Sequence, residues 1–408
     1  MNLTFVISTG RAGSTLISRI LHEHPDVLSV SEFFAALMGV LRRLPYPDHD
    51  MDGEELWRIV AKQDHIADAL VQNGMQTPEM FYPYGRGRFT PEAGIPVICH
   101  STLSLLSDDP DTLFDQLAAE VPGWPRRTAA DQYRALFARL AAMLGRRVVV
   151  ERSGGSLVEI ETLRREFPEA RLVHMYRDGP DCALSMSRFP MFQLGIVTYR
   201  AAQEAGIGLQ ASWDEVMAVL PEEYAGLLTP PYDFSRLAEF EFDPLFFGGM
   251  WSEMMKYGVR ILSGVPTGQW DTLGYADLLR DPVTELTRLA DFIGVAATPQ
   301  WLAAAGHLID PGQQGKAAAL DPKTLTALRK ACEPGEAALK TQAKLRAAGP
   351  AGQSSPGSPA ASIPAPRRPV TPPGHSGNRE HARPSGHGAQ HREPSSSARA
   401  ASSPHRQG

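Results

Sequence analysis

Apolar residues along the chain fall into short, β-branched runs separated by stretches with helical spacing. Residues 3–8, 26–31, 172–176 and 272–275 read as strands, and Val148, Val149 and Val150 form a continuous run suited to a strand covered on both faces. After the first strand, Leu16, Ile17, Ile20 and Leu21 share one helical face from about Ser14, and that helix stops before Pro25. A second helix begins within residues 181–188, and Pro282 opens an amphipathic one through Ile293. The alternation predicts an α/β fold, a P-loop-like three-layer arrangement around a central parallel sheet. Residues of about 35–145 and 189–268 break the rhythm. They are expected to be helical insertions covering one end of the sheet. No internal repeat is visible.

With 408 residues and 43% hydrophobic content, the chain can bury one large core with insertions, assigned to residues 1–346. Residues 347–408 make a separate tail rich in Pro, Ser, Arg and His. From Gly349 onward it has no aromatic residue and no Leu, so it is expected to be disordered. That segment carries seven Arg and two Glu, a net of +5, which leaves −11 on the rest of a chain whose total is −6. The body therefore has no global basic footprint, and no nucleic-acid partner is expected. Any anion site must come from a few aimed groups.

Cys99, Cys182 and Cys332 are few and odd in number, which suits a reduced cytoplasm better than a disulfide framework. No apolar stretch is long enough to span a membrane, and the N-terminus lacks a basic stretch of the signal-peptide kind, so a cytoplasmic protein without a membrane partner is expected. No Cys/His cluster has metal-ligand spacing, and no metal site is expected.

The turn after the first strand reads Gly10-Arg11-Ala12-Gly13-Ser14-Thr15. A strand, a small-residue turn and a helix start arrange free backbone N–H groups around a concavity with positive potential. Gly10 and Gly13 allow close backbone approach, Ser14 and Thr15 add hydroxyls, and Arg11 can grip two oxygens of a phosphate or sulfate. The bland reading is an ordinary βα turn with a capping serine. The GxxxxGK[ST] spacing of a Walker loop and the GxGxxG of dinucleotide folds are both absent.

A second strand–turn–helix, "RLVHMYRDGPDCALSMSRF", places Arg177 at a strand end and Ser185 about two turns into the next helix. The pair could close on one phosphate, with Asp178 orienting Arg177 or capping the helix. Alone, a strand-end Arg paired with Asp178 would explain it.

Together the two elements resemble the PAPS-dependent sulfotransferase family, in its bacterial, soluble type. "STGRAGSTLISRIL" looks like that family's loop for the 5′-phosphosulfate. "YRDGPDCALS" looks like its RDP-type segment, in which an Arg and a later Ser hold the 3′-phosphate. "VVVERSGGSLVEIETLRREFPEARLVHMYRD" and "LGYADLLRDPVTELTRLADFIGV" are similar to its strand–helix–strand and to its late element. The resemblance implies PAPS as co-substrate, no metal, and direct in-line transfer of a sulfuryl group to a hydroxyl or amine of a small-molecule or carbohydrate acceptor. Arg11 stands where many cytosolic members have Lys, and the RDP segment reads Arg177-Asp178-Gly179-Pro180. The late nucleotide-clamping loop is assigned to "DPGQQGKAAALDP", with Lys316 as its contact; a surface lysine is the bland alternative.

Such a transfer needs a base near the acceptor oxygen and positive charge near the leaving phosphate. Glu32 follows the second strand, and some bacterial sulfotransferases are similar there and use that glutamate as the base. His100, in "PVICHSTLSLL", is read as a second strand-end candidate, although it lies far from Arg177 in sequence. Glu32 is preferred, with Arg11 stabilising the leaving group. Glu151 and Arg152 are read as an ion pair, with Arg152 alternatively facing the leaving group, and His22 and His24 as surface residues. Trp57, Phe81, Tyr82, Tyr84, Trp251 and Tyr257 could line an acceptor pocket or form lid core. Two other functions fit less well. A P-loop-like kinase lacks its lysine, though Glu151 could hold Mg²⁺. A catalytically inactive nucleotide-binding module would use the basic tail for interaction.

Overall fold

The computed structural model describes residues 2–207 and 213–347. The tail lies outside the described residues apart from Ala347, which ends the last helix.

Five strands form one fully parallel sheet: β1 (Asn2–Ile7), β2 (Val27–Ser31), β3 (Val148–Arg152), β4 (Arg171–Tyr176) and β5 (Trp270–Gly274), in the order β2-β3-β1-β4-β5. The five strands read from the apolar pattern form, with ends moved by a residue or two. The helices that matter for the site are α1 (Ser14–His22), α2 (Phe33–Leu41), α3 (Ala129–Met143), α4 (Ile160–Glu166), α5 (Gly179–Ser187), α6 (Pro190–Glu204), α7 (Pro244–Leu262), α8 (Pro282–Ile293), α9 (Pro299–Leu308) and α10 (Pro322–Ala347). Their ends carry the expected signals. Asp178 accepts from the Asp181 N–H to cap α5, and Asp281 accepts from the Thr284 N–H to cap α8. Pro282 opens α8, and Gly294 closes it at φ 85°.

The period of two along each strand sorts the sheet into two buried faces. Phe5, Ile7, Val149 and Leu172 pack with α3, α4, α5 and α7 on one face. Val6, Val150, Val173 and Met175 pack with α1, α8 and α9 on the other. This is the P-loop-like three-layer arrangement, with apolar residues on both sides of every strand.

The insertions do more than cover an end. From the first, α3 lies on a sheet face, and from the second, α7 does the same. Elsewhere the two insertions meet in a core of their own, where Ile66 and Leu70 pack with Leu194, Val197, Leu227 and Phe234.

Two expectations are corrected. The run before His100 is not a strand: Pro96 precedes a helical turn, and Cys99–Leu103 is π-helical. A short apolar run does not separate strand from helix by period, and proline favours the first helical turn. His24 is buried, not surface. Its Nε2 lies 2.9 Å from the Ala296 carbonyl, and its ring packs on Trp301 of α9.

The chain leaves β1 for β2 on one side and leaves β4 for β5 on the other. The carboxyl ends of the neighbouring strands β1 and β4 therefore border the crevice where the strand order reverses, the usual ligand position in open parallel sheets. No described helix is long and apolar enough to cross a membrane.

Candidate active site

The turn after β1 has left-handed backbone at Gly10 (φ 78°), Arg11 (φ 55°) and Gly13 (φ 91°). A Cβ on Gly13 would fall 2.3 Å from the Tyr275 ring, so dihedral and space both demand glycine there. Gly13 is the N-cap of α1, and no described side chain caps that helix. Its first-turn amides are left as donors for an anion. Ala12 and Ser14 are buried in the turn.

Arg11 projects to α5 and to the first insertion. Its Nε donates to Ser185 Oγ at 3.2 Å and its Nη1 to Glu79 Oε1 at 3.0 Å, and its guanidinium lies 4.1 Å from the Phe189 ring centre. The Thr15 hydroxyl donates to the same Glu79 oxygen at 2.7 Å. The other oxygen, Oε2, is buried without a partner among the described residues. Glu79 carries no motif; only the fold brings it to the turn.

Arg177 ends β4. Its Nη2 donates to Asp181 Oδ2 at 2.8 Å and to the Gln313 carbonyl at 2.7 Å, and its guanidinium lies 5.0 Å from the Tyr275 ring centre. Its Nε is buried without a partner among the described residues. Asp178 caps α5 and does not pair with Arg177. The partner is Asp181, in the first turn of α5, which the strand–helix turn brings back over Arg177. Asp181 also accepts from the Gly315 and Ala317 N–H groups, which docks the late loop at this strand end. Lys316 sits there exposed, donating to Gln313 Oε1 at 2.6 Å. Ser185 is bonded to Arg11, not to Arg177. Asp181 and Ser185 are one helical turn apart, so the two arginines meet α5 about 6 Å apart along its axis.

Glu32 is the N-cap of α2, in left-handed backbone at φ 55°. Its Oε1 pairs with Arg152 Nη1, and its Oε2 accepts from the Gly154 N–H at 2.9 Å. Arg152 is fully buried and also donates to Ser18 Oγ and Ser31 Oγ, each at 2.7 Å. Burial raises the Glu32 pKa above the ordinary carboxylate value; Arg152 opposes that shift and Glu79 adds to it. The expected Glu151–Arg152 pair does not form, because successive strand residues face opposite sides. Glu151 points into the core, accepts from the Ser153 hydroxyl at 2.6 Å, and is pushed up to about 8 by burial.

His100 is buried, with Nδ1 3.0 Å from the Tyr84 hydroxyl and Nε2 3.2 Å from Asp68 Oδ1. Nδ1 is engaged by the Tyr84 hydroxyl, whereas Nε2 has no hydrogen-bond partner among the described residues; each Glu32 oxygen retains a lone pair.

Arg11, Glu32, Glu79 and His100 border one cavity of about 600 Å³. Its apolar wall comes from methionines of both insertions and from Phe189 and Phe192. None of the six aromatics expected there lines it. Trp251 is fully buried in the core, and Trp57 packs on Phe114. The methionines were missed because a Met at helical spacing reads as core.

No family model matches the chain, and no curated protein matches its sequence. Solved structures do show similarity. One is the sulfotransferase domain of the olefin synthase of Synechococcus PCC 7002, at 17% identity and a TM-score of 0.41, covering 81% of this chain and 94% of that one. Another is sulfotransferase STF9 from Mycobacterium avium, at 13% identity and a TM-score of 0.40, covering 83% and 76%. A third is retinol dehydratase in complex with androsterone and the inactive cofactor PAP, at 14% identity and a TM-score of 0.27, covering 84% and 81%.

The residues present suit a doubly anionic nucleotide. The uncapped α1 terminus and the orphaned Arg177 Nε are two separate donor sets at adjacent strand ends. Among the described residues, no group of three or more His, Cys, Asp or Glu is placed to hold a metal ion.

Proposed function

We propose that the protein is a sulfotransferase that moves the sulfuryl group of PAPS to the hydroxyl of a small molecule. One observation carries this reading: Arg11 and Arg177, from the two strand ends that border the crevice, contact the same helix one turn apart, at Ser185 and Asp181. A ligand with anionic groups at two separated places matches that pair. The turn amides of Gly10–Ser14, the Thr15 hydroxyl and Arg11 would hold the 5′-phosphosulfate. Arg177, with Ser185 one turn further along α5 and Lys316 on the late loop, would hold the 3′-phosphate.

Glu32 takes the acceptor proton as the oxygen–sulfur bond forms. The bond between sulfur and the bridging phosphate oxygen breaks, Arg11 stabilises the charge left on that oxygen, and adenosine 3′,5′-bisphosphate departs. His100 is the alternative base; its Nδ1 is engaged by Tyr84, while its Nε2 is buried without a hydrogen-bond partner among the described residues. A kinase reading loses its metal-binding carboxylate, since Glu151 turns into the core.

Calorimetric titration with adenosine 3′,5′-bisphosphate and with ATP tests the proposal. Tighter binding of the bisphosphate, followed by transfer of label from PAPS to an alcohol, supports it. Preference for ATP sinks it.

A further inference from the structure

The cavity follows one helix. Glu32 is the N-cap of α2 and Arg42 its C-cap, and both border the cavity. Between them, Ala35 and Gly39 continue the same helical stripe and Met38 lies beside it, while Phe33, Phe34 and Leu37 turn into the core. Ten residues at 1.5 Å each put about 15 Å between the two charged ends. Gly39 leaves open space: a Cβ there would meet nothing within 4 Å.

The middle of this trough is apolar. Met38, Met80, Met191, Met250 and Met254 line it, and methionine walls adapt to flexible chains. No Asn, Gln, Tyr or Trp lines it; Thr77, Glu79, His100 and Ser101 are also in its lining, and the methionines supply the adaptable apolar surface.

Arg42 stands at the far end, where the cavity meets a groove lined by Trp213 and Tyr232. Its guanidinium lies 4.1 Å from the Trp213 ring centre, and among the described residues no carboxylate reaches ion-pair distance. Asp64 also borders this end, with its carboxylate capping the helix His65–Gln72 at the Ala67 N–H. The trough thus has a carboxylate base at one end, an arginine beside Asp64 with no ion pair among the described residues at the other, and methionines between.

We propose that the acceptor is an apolar hydroxy acid that lies along α2 with its hydroxyl at Glu32 and its carboxylate at Arg42. This rests on the sulfotransferase reading only for the fate of the hydroxyl; the binding geometry stands by itself.

The test uses the full chain, without nucleotide, and measures binding of ω-hydroxydodecanoate, 1-dodecanol and glucosamine by calorimetry. The hydroxy acid should bind at least about tenfold more tightly than the alcohol, the usual effect of a charge-assisted contact, and glucosamine should not bind. Arg42→Ala should erase the difference between acid and alcohol. Gly39→Leu should abolish binding of both, and because it replaces a helix-interior glycine in open space the variant should fold at least as well as the parent. Equal affinities of acid and alcohol, a difference that survives Arg42→Ala, or preference for the sugar would overturn the proposal. A parallel titration with adenosine 3′,5′-bisphosphate separates the two readings. If the bisphosphate binds and the hydroxy acid does not, only this inference falls. If the hydroxy acid binds through Arg42 and the bisphosphate does not, only the sulfotransferase reading falls.

Discussion

Glu79 Oε1 lies 3.0 Å from Arg11 Nη1, so the cation best placed to receive an anion already carries a carboxylate. That same oxygen holds the Thr15 hydroxyl of the turn. An incoming phosphosulfate must displace or tolerate this charge. Glu79→Gln should therefore strengthen binding of adenosine 3′,5′-bisphosphate by about fivefold, the equivalent of about 1 kcal/mol for a screened, partly exposed pair. Calorimetry measures it. Weaker binding would mean that Glu79 aims Arg11 at the ligand instead of competing for it.

Glu32 should govern the acid limb of the pH–rate profile. Its raised pKa means that the basic form is lost at a higher pH than for an ordinary carboxylate. kcat should fall as pH drops through that raised value. Glu32→Gln should lower kcat by about 10²–10⁴ and remove the limb, with bisphosphate binding retained. Near-normal turnover in this variant would return the role to His100.

Arg177 should discriminate between nucleotides. Its unpartnered Nε is one charge-assisted donor, and losing such a contact costs about 1.5–3 kcal/mol. Arg177→Ala should weaken adenosine 3′,5′-bisphosphate at least about tenfold and leave adenosine 5′-phosphate nearly unchanged. Equal losses would detach Arg177 from the 3′-phosphate.

Glu151 should make the fold less stable at alkaline pH. Its pKa rises from 4.5 to about 8 on folding, so between those values the folded state holds a proton that the unfolded state has released. Stability contributed by the protonated form is complete below the lower value and is lost as pH rises through the upper one. Glu151→Gln keeps the shape and removes the titration. Its Tm should decline less than the parent's from pH ~5 to ~8, the window set by that shift. Identical slopes would show that Glu151 does not carry the dependence.

The layers and both arginine-bearing turns were legible in the sequence because they rest on local rules. Val148–Val150 is a strand whatever surrounds it, and Gly13 marks a turn by its own dihedral. Partner choice was not legible. Arg152 pairs with Glu32 across two strands instead of with its neighbour Glu151, and Ser185 goes to Arg11 instead of Arg177. Both outcomes depend on which sheet face or helix turn a side chain occupies. His100 misled for a similar reason, since four apolar residues suit a helix start as well as a strand. Glu79 and Arg42 left no trace at all; the insertions that bring them to the site have no periodic signature of function.

Arg11 rests on the Phe189 ring, and Phe192 lies within 3.0 Å of where a Cβ on Gly10 would stand. Both rings belong to the wall of the apolar trough. The two halves of the site therefore share a boundary: a shift of the turn moves the wall, and a chain pressed against the wall moves the turn. Linkage makes such an effect reciprocal. Whatever factor the nucleotide applies to the affinity of the second substrate, the second substrate must return to the nucleotide, and neither dissociation constant is a property of one site alone.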